Sequence, residues 1–152
     1  MTRLLIVAHT PSPSVHAMYL KVLEGARNPE IEAVEVVGRP ALTTGAVDVL
    51  EADGYILGTP ANLGYMSGAL KHFFDQIYYP CLEATVGRPY GLYVHGNSDT
   101  GGAVTAIGKI VTGLKWRQVA DPVCVVGDPR REDLDACWEL GAAVAAGLSL
   151  AG

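Results

Sequence analysis

The chain has 152 residues, which is typical of one domain large enough to bury a substantial hydrophobic core. Hydrophobic residues make up 49% and charged residues 18% of the sequence, so the chain is not of the intrinsically disordered class. A formal net charge of −5, without any basic run, argues against a nucleic acid partner. The three cysteines are widely spaced and odd in number, which favours reduced thiols in a cytoplasmic protein over a disulfide framework.

Apolar stretches near the two ends of the chain predict core elements rather than targeting or membrane segments. The five apolar residues 4–8 end at His9, and such a run is too short for a signal peptide. The apolar run 136–152 contains Glu139 and falls short of the roughly 20 residues that a membrane span needs. We therefore expect a core-packed C-terminal helix and no membrane partner.

The hydrophobic pattern predicts strands alternating with helices along a single domain, residues 1–152. Apolar runs bounded by turn residues predict five strands, at residues 3–8, 31–37, 55–58, 88–95 and 119–126. Helical patterns follow at residues 15–27, 67–79, 103–114 and 131–146, the first with Ser12 or Ser14 as N-cap. Thr43 or Thr44 is expected to cap a short further helix that runs through Ala52.

This alternation predicts an open parallel α/β sheet with helices on both faces. In such sheets, ligands bind outside the carboxyl ends of the strands, at the point where the strand order reverses. With the strand order 2-1-3-4-5, the first and third strands flank that point and the fourth is the next neighbour. The loops after these three strands are therefore the predicted binding region.

The loop from Gly58 to Gly68 has the composition of a binding loop rather than of a simple connector. Its glycines allow tight backbone geometry, and Pro60 fixes one dihedral angle. Asn62 offers an amide, and Tyr65 offers a flat aromatic face. Such a mixture suits a planar ligand that forms hydrogen bonds.

The loop after the first strand carries hydroxyl groups on alternate residues, at Thr10, Ser12 and Ser14. These side chains directly precede a helix N-terminus, where free backbone amides and the helix dipole favour a phosphate group. Simple N-capping by Ser12 or Ser14 explains the same residues equally well. The sequence leaves both interpretations open.

Other sites find no support in the sequence. The four histidines have no metal-ligand spacing with the cysteines, so no metal site is predicted. Gly108-Lys109 lacks the remaining residues of a phosphate-binding Walker loop, and no dinucleotide fingerprint follows the first strand.

Three segments resemble the flavodoxin and NADPH-dependent FMN reductase superfamily. They are the hydroxyl loop with the helix start that follows it (residues 10–18), the long loop with its helix (58–75) and the glycine-rich loop 96–102. The resemblance implies a flavodoxin-like open parallel five-stranded sheet in the order 2-1-3-4-5, with FMN as cofactor.

The resemblance also implies which residues hold FMN. The hydroxyl loop would bind the phosphate, the long loop would wrap the isoalloxazine ring, and the glycine-rich loop would border its pyrimidine side. Tyr65 is either a stacking residue or a solvent-facing tyrosine, and Asp99 either borders the ring or caps the following helix. The full set of implied cofactor contacts is Thr10, Ser12, Ser14, Val15, Pro60, Ala61, Asn62, Leu63, Gly64, Tyr65, Met66, His95, Gly96, Asn97, Asp99 and Gly102.

The hydroxyl loop departs from the family pattern at three positions. Pro11 and Pro13 stand where glycine is frequent, and each proline removes a backbone donor. Val15 stands where threonine is frequent, which removes a hydroxyl group. These departures imply weaker FMN binding or its loss.

Three functions follow from the resemblance. The first is an FMN-dependent oxidoreductase that takes electrons from NAD(P)H and passes them to a quinone, a flavin or a similar small acceptor, with the redox chemistry on the flavin and no catalytic side chain required. The second is a flavodoxin-type electron carrier that binds a redox protein; the charge of −5 is modest for that class. The third is a domain that has lost FMN and binds another phosphate ligand or a partner. Residues 78–82 could support a homo-oligomer or pack on their own core.

Overall fold

The computed structural model describes residues 1–152, and helices and strands alternate along the chain as predicted. The strands are β1 (Thr2–Ala8), β2 (Val34–Pro40), β3 (Gly54–Asn62), β4 (Tyr65–Met66), β5 (Pro89–Gly96), β6 (Arg117–Gln118) and β7 (Val123–Val126). The helices are α1 (Pro13–Ala26), α2 (Ala46–Glu51), α3 (Gly68–Cys81), α4 (Gly101–Leu114) and α5 (Arg131–Ala151).

One sheet organises the molecule. Its strand order is β2-β1-β3-β5, and β6 and β7 both pair with the outer edge of β5. All of these pairings are parallel, and only the short β4 runs antiparallel to its neighbour β3. With β6 and β7 taken as two parts of one strand, the predicted order 2-1-3-4-5 is confirmed.

Helices cover both faces of the sheet because the strand side chains alternate between two buried clusters. Leu5 and Val7 of β1 pack with residues of α2, α3 and α4. Leu4 and Ile6 pack on the opposite face with residues of α1 and α5. Both faces of the central strands are therefore apolar, which explains the continuous apolar runs in the sequence.

The second strand lies later in the chain than predicted, at Val34–Pro40 instead of residues 31–37. The backbone N–H of Ile31 donates to the carbonyl of Asn28 at 2.9 Å, so this segment forms a turn. Ala33 then adopts a positive φ of 60°, which is incompatible with a strand.

Two predicted helix boundaries also need correction. The hydroxyls of Thr43 and Thr44 donate to the carbonyl of Pro40 in a short 3₁₀ turn, and α2 begins only after Gly45. The third helix was predicted to stop before Pro80 but includes it. Because Pro80 lies in the last turn, it removes only one hydrogen bond near the helix end.

The third and fifth strands differ from the prediction because of their neighbours in the sheet. β3 continues to Asn62 instead of ending at Gly58, since Pro60 still pairs with His95 of β5. The predicted fifth strand, residues 119–126, is interrupted: β6 lies before it, β7 forms its second half, and the residues around Pro122 pair with no strand. Pro122 has no N–H to donate, and it lies at the sheet edge as expected.

Helix α5 is longer than predicted, with 21 residues, and its length and composition alone would allow it to cross a membrane. This corrects the expectation that the C-terminal apolar run is too short. Its buried face nevertheless packs in the core cluster that it shares with α1, through Cys137, Leu140, Val144, Ala145 and Leu148. The prediction of a core-packed helix agrees with this arrangement.

Candidate functional site

The three predicted loops lie at the same edge of the sheet. Ala8 of β1 pairs with Gly58 of β3, and Pro60 pairs with His95 of β5, so these strand ends are direct neighbours. The N–H of His9 donates to the carbonyl of Gly58 at 3.1 Å and extends this alignment into the first loop. The order of the strands thus brings the hydroxyl loop, the long loop and the glycine-rich loop together.

The hydroxyl loop presents donors that the chain itself does not use. The backbone N–H groups of Thr10, Ser12, Ser14 and Val15 donate no hydrogen bond within the chain. Ser12 occupies the N-cap position of α1, but its side chain makes no capping bond. Simple capping therefore does not account for these hydroxyls, and the loop has the donor chemistry of an anion site.

Most of the long loop is a short β-hairpin. Ala61 pairs with Met66, and the turn is formed by Leu63 and Gly64, whose φ angles are 51° and 77°. Two positive φ angles are typical of the tight hairpin turn that favours glycine, so Leu63 is the unusual residue. Neither turn residue donates its N–H within the chain. The hairpin thus presents two free amides at its tip.

A buried hydroxyl anchors this hairpin to the sheet. Thr59 accepts a hydrogen bond from the backbone N–H of Ser67 at 3.0 Å and donates to the carbonyl of Pro60 at 2.8 Å. Ser67 in turn caps α3 by accepting from the N–H of Leu70 at 3.2 Å. The hairpin is therefore fixed at both of its ends.

The glycine-rich loop contacts the hairpin directly. A Cβ atom at Gly102, in the first turn of α4, would overlap the carbonyl of Gly64. Asp99 accepts a hydrogen bond from the N–H of Gly101 at 2.9 Å, so its carboxylate caps the start of α4. Asn97 is exposed and has no hydrogen-bond partner within the chain.

A cleft of about 620 Å³ lies between the hairpin and the glycine-rich loop. Its lining residues are Ala61, Asn62, Leu63, Gly64, Asn97, Ser98 and Asp99. The hydroxyl loop is not part of this lining and lies at the neighbouring end of β1. The structure therefore brings six of the predicted ring contacts together at this cleft and places the predicted phosphate-binding residues at the end of the neighbouring strand.

The other predicted ring contacts do not line this cleft, namely Pro60, Tyr65, Met66, His95, Gly96 and Gly102. Tyr65 faces a neighbouring groove of about 550 Å³, together with Lys71 and Thr105. Stacking of Tyr65 on a flavin stays a prediction. His95 is buried, and its Nε2 lies 2.8 Å from the carbonyl of Gly127, so this nitrogen donates to the loop after β7.

One buried group has no partner. The hydroxyl of Tyr93 in β5 is the single buried side-chain polar atom without a hydrogen bond, and the residue is 0% exposed. Burial raises the pKa of this hydroxyl well above its ordinary range, so it remains a neutral donor. A Cβ atom at Gly58 of β3 would overlap the tip of the Tyr93 ring.

Some residues near the site are not among those predicted from the sequence. Arg39 borders a pocket of about 250 Å³ with His9, Thr10 and Tyr19, and its guanidinium group, which pairs with Asp48 at 3.3 Å, thus lies near the hydroxyl loop. Arg39 is at the carboxyl end of β2, and a correct boundary for that strand would have placed it at this edge. No local signal identifies the unpaired hydroxyl of Tyr93, because its burial depends on the neighbouring strand.

The fold and this edge can be compared with known proteins. Residues 14–128 match the model of a protein family described as NADPH-dependent FMN reductase. The chain belongs to this FMN-binding, flavodoxin-like family. The matched segment begins at Ser14 and includes the hairpin and the glycine-rich loop in full.

The proteins most useful for comparison differ in function by their names. The chain is 29% identical over 157 residues to a flavodoxin of Aquifex aeolicus, covering 93% of this chain and 84% of that protein. It is 27% identical over 134 residues to quinone-oxidoreductase QR2 of Triphysaria versicolor, covering 74% of this chain and 64% of that protein. Among solved structures, a flavodoxin, WrbA-like protein from Agrobacterium tumefaciens superposes with a TM-score of 0.80 at 19% identity, covering 99% of both chains.

The residues at the sheet edge fit the two ends of FMN. Free amides and unpaired hydroxyls in the hydroxyl loop suit a phosphate, and the free amides of Leu63 and Gly64 suit the polar edge of the ring. No group of three or more His, Cys, Asp or Glu side chains could hold a metal ion.

Proposed function

We propose that the chain is an FMN-dependent oxidoreductase that takes reducing equivalents from NAD(P)H and passes them to a quinone, a free flavin or a similar small acceptor. The observation that carries this proposal is the set of unpaired donors that three loops present at one sheet edge, beside a cleft of about 620 Å³. Membership of the reductase family and the similarity to a quinone oxidoreductase support it.

The residues of the chain would bind and orient the cofactor. FMN supplies the redox chemistry when bound, and no side chain is required as an acid or a base. Thr10, Ser12 and Ser14 would hold the phosphate at the positive end of α1. The amides of Leu63 and Gly64 would donate to the polar edge of the ring.

Turnover assays test the proposal. The purified protein is loaded with FMN, and the consumption of NADPH and of NADH is followed with and without an added quinone. We expect consumption of a nicotinamide nucleotide that depends on both FMN and the quinone. Bound FMN without consumption of either nucleotide, for quinone and free flavin alike, would contradict the enzyme assignment.

A second candidate is an electron carrier without turnover of its own. The similarity to a flavodoxin covers 93% of this chain. The tip of the hairpin also exposes an apolar side chain, since Leu63 is 106% exposed, and such a residue suits contact with a protein partner. Flavin binding combined with nicotinamide-independent electron transfer to a redox protein would favour this candidate.

The location and the assembly of the protein belong to the same proposal. All three cysteines are free, which supports a cytoplasmic location.

Tyr79, at the end of α3, is 81% exposed and offers a surface for a homo-oligomer. Sedimentation of the wild type and of Tyr79→Ser at equal concentrations tests this assembly; identical monomer profiles would contradict it.

A further inference from the structure

A positively charged groove lies beside the hairpin, next to the cleft proposed for the flavin ring. Its volume of about 550 Å³ is within the range of small-molecule sites. We call it the Tyr65 groove, and its lining residues are Tyr65, Lys71, Gly101, Gly102, Thr105, Ala106, Lys109 and Ile110. Two of these residues are lysines and none is acidic, although the whole chain has a net charge of −5. The groove therefore offers a local excess of positive charge that suits an anionic ligand.

The two lysines of the groove are not equivalent. The Nζ atom of Lys71 lies 2.6 Å from a carboxylate oxygen of Asp75, so its charge already has a partner on α3. Lys109 of α4 is exposed and forms no ion pair. Thr105 lies one helical turn before Lys109 on the same face of α4 and adds a hydroxyl group. The free positive charge of the groove is thus on α4.

The other wall of the groove is apolar, since it includes Tyr65, Ala106 and Ile110. Tyr65 is 40% exposed, so part of its surface is open to a ligand. Aromatic side chains stack on any nucleobase, because every base has a π-face. A ligand that combines a flat base with a phosphate group therefore matches both walls of the groove.

The position of the groove relative to the cleft indicates which nucleotide this is. Gly64 lines the cleft and Gly102 lines the groove, and the two residues are in contact, because a Cβ atom at Gly102 would overlap the carbonyl of Gly64. The cleft and the groove therefore lie on the two sides of one backbone contact. A donor whose nicotinamide reaches a flavin in the cleft also carries an adenosine end, which must bind nearby. The groove is adjacent and has the matching chemistry.

We propose that the Tyr65 groove binds the adenosine end of NADPH, with the ammonium group of Lys109 paired with the phosphate on its ribose. This inference rests on the proposed function, because it assumes that a nicotinamide nucleotide reduces the flavin. NADH has a hydroxyl group in place of this phosphate, and an ammonium group gains more from a charged phosphate than from a neutral hydroxyl. Lys109 is thus a specificity-determining residue that contacts no reacting atom.

Steady-state kinetics with both donors test this role. The wild type, Lys109→Gln and Lys115→Gln are loaded with FMN and assayed with NADPH and with NADH, with a quinone as acceptor. Lys115 is a matched control, because it is exposed at the opposite end of α4 and does not line the groove. We expect the wild type and Lys115→Gln to prefer NADPH. Lys109→Gln should raise the KM for NADPH roughly tenfold and leave kcat and the KM for NADH unchanged.

A binding measurement without turnover complements the kinetics. Adenosine 2′,5′-bisphosphate, which carries the phosphate specific to NADPH, and 5′-AMP are titrated into the protein without FMN and followed by amide NMR. We expect the bisphosphate to shift the signals of Gly102, Thr105 and Lys109 at lower concentrations than 5′-AMP does. Lys109→Gln should remove this difference between the two ligands.

The outcomes separate this inference from the proposed function. If the wild type uses either donor but does not prefer NADPH, or if Lys109→Gln keeps the preference, only this inference fails. If the wild type uses neither donor, the proposed function fails, and a bisphosphate titration without shifts in the groove overturns the inference as well. If Lys109→Gln slows electron transfer to a redox protein and leaves the nucleotide kinetics unchanged, the groove binds a protein partner and the inference is wrong.

Discussion

At the scale of single residues, Ser14 gives the most direct test of the proposed phosphate site. Its hydroxyl has no hydrogen-bond partner within the chain, so its removal should leave the apoprotein intact. We expect Ser14→Ala to lower FMN affinity by about 1–3 kcal/mol, the range for a hydrogen bond to a charged group. Fluorescence titration measures this loss, and denaturant unfolding checks that stability is unchanged.

Ser149 provides a matched control for that experiment. Its hydroxyl donates to the carbonyl of Glu32 at 2.6 Å, far along the chain from the three loops. Ser149→Ala should therefore lower the free energy of unfolding slightly and leave FMN affinity unchanged. Unchanged FMN affinity in Ser14→Ala would show that this serine does not bind the phosphate.

Thr59 is a second residue with a defined task, because its hydroxyl fixes the hairpin. Thr59→Val keeps the volume but leaves the N–H of Ser67 without a partner in the core. We expect this change to lower the free energy of unfolding by about 1–3 kcal/mol. Urea unfolding measures the loss, and the exposed Thr105→Val serves as control; equal effects of the two changes would argue against the anchoring role.

At the scale of elements, the contact between α4 and the hairpin depends on a missing side chain. Gly102→Ala would place a Cβ atom against the carbonyl of Gly64, so we expect both lower stability and weaker FMN binding. Gly108, in the same helix, has no atom within 4 Å of its added Cβ. Gly108→Ala should instead raise stability by about 0.5–1 kcal/mol through helix propensity. Thermal unfolding with and without FMN distinguishes the two variants. Unchanged stability and unchanged FMN binding in Gly102→Ala would contradict the close contact.

The elements also show what sequence analysis can and cannot predict. The alternation of strands and helices and the position of the three loops follow from local patterns, because apolar runs and capping residues are local signals. The strand order came from the resemblance to a known family. The errors concern strand boundaries that are determined by pairing with a neighbouring strand or by local packing. β3 passes Pro60 because His95 lies beside it in the sheet. The positive φ of Ala33, which delays β2, has no signature in the sequence.

The same distinction applies to the candidate site. Hydroxyl and glycine spacing identified the loops at the carboxyl ends of β1, β3 and β5. The groove that Tyr65 faces, the pocket beside Arg39 and the unpaired Tyr93 hydroxyl each depend on atoms from different strands and helices. The double role of Asp99 was left open by the sequence, and the hydrogen bond from Gly101 shows that its carboxylate caps α4.

At the scale of the whole molecule, buried thiol and phenol groups make the free energy of unfolding sensitive to high pH. Burial raises the pKa of Cys137 from 9.0 to about 12 and that of Tyr55 from 10.0 to about 12. At a pH above the ordinary pKa values of 9.0 for Cys137 and 10.0 for Tyr55, these groups lose their protons in the unfolded chain but keep them in the folded chain. The unfolded state therefore binds fewer protons than the folded state. The free energy of unfolding is then at its full value below about pH 9 and falls as pH rises toward about 12.

Urea unfolding at stepped pH tests this expectation. Cys137→Ala should reduce the loss of stability between about pH 9 and 10, before the tyrosines contribute. The exposed Cys124→Ala controls for the loss of a thiol as such. A profile that stays flat to about pH 12 would contradict the expected linkage.

The interruption between β6 and β7 affects whether the outer edge of the sheet can pair with another copy of the chain. A long, continuous outer strand would offer unpaired N–H and C=O groups as a template for another chain. Here that edge consists of a two-residue strand and a four-residue strand separated by a segment that contains Pro122. The break thus works against edge-to-edge addition of another chain to the sheet, and replacing it with a sequence that pairs throughout would make the protein more prone to aggregate.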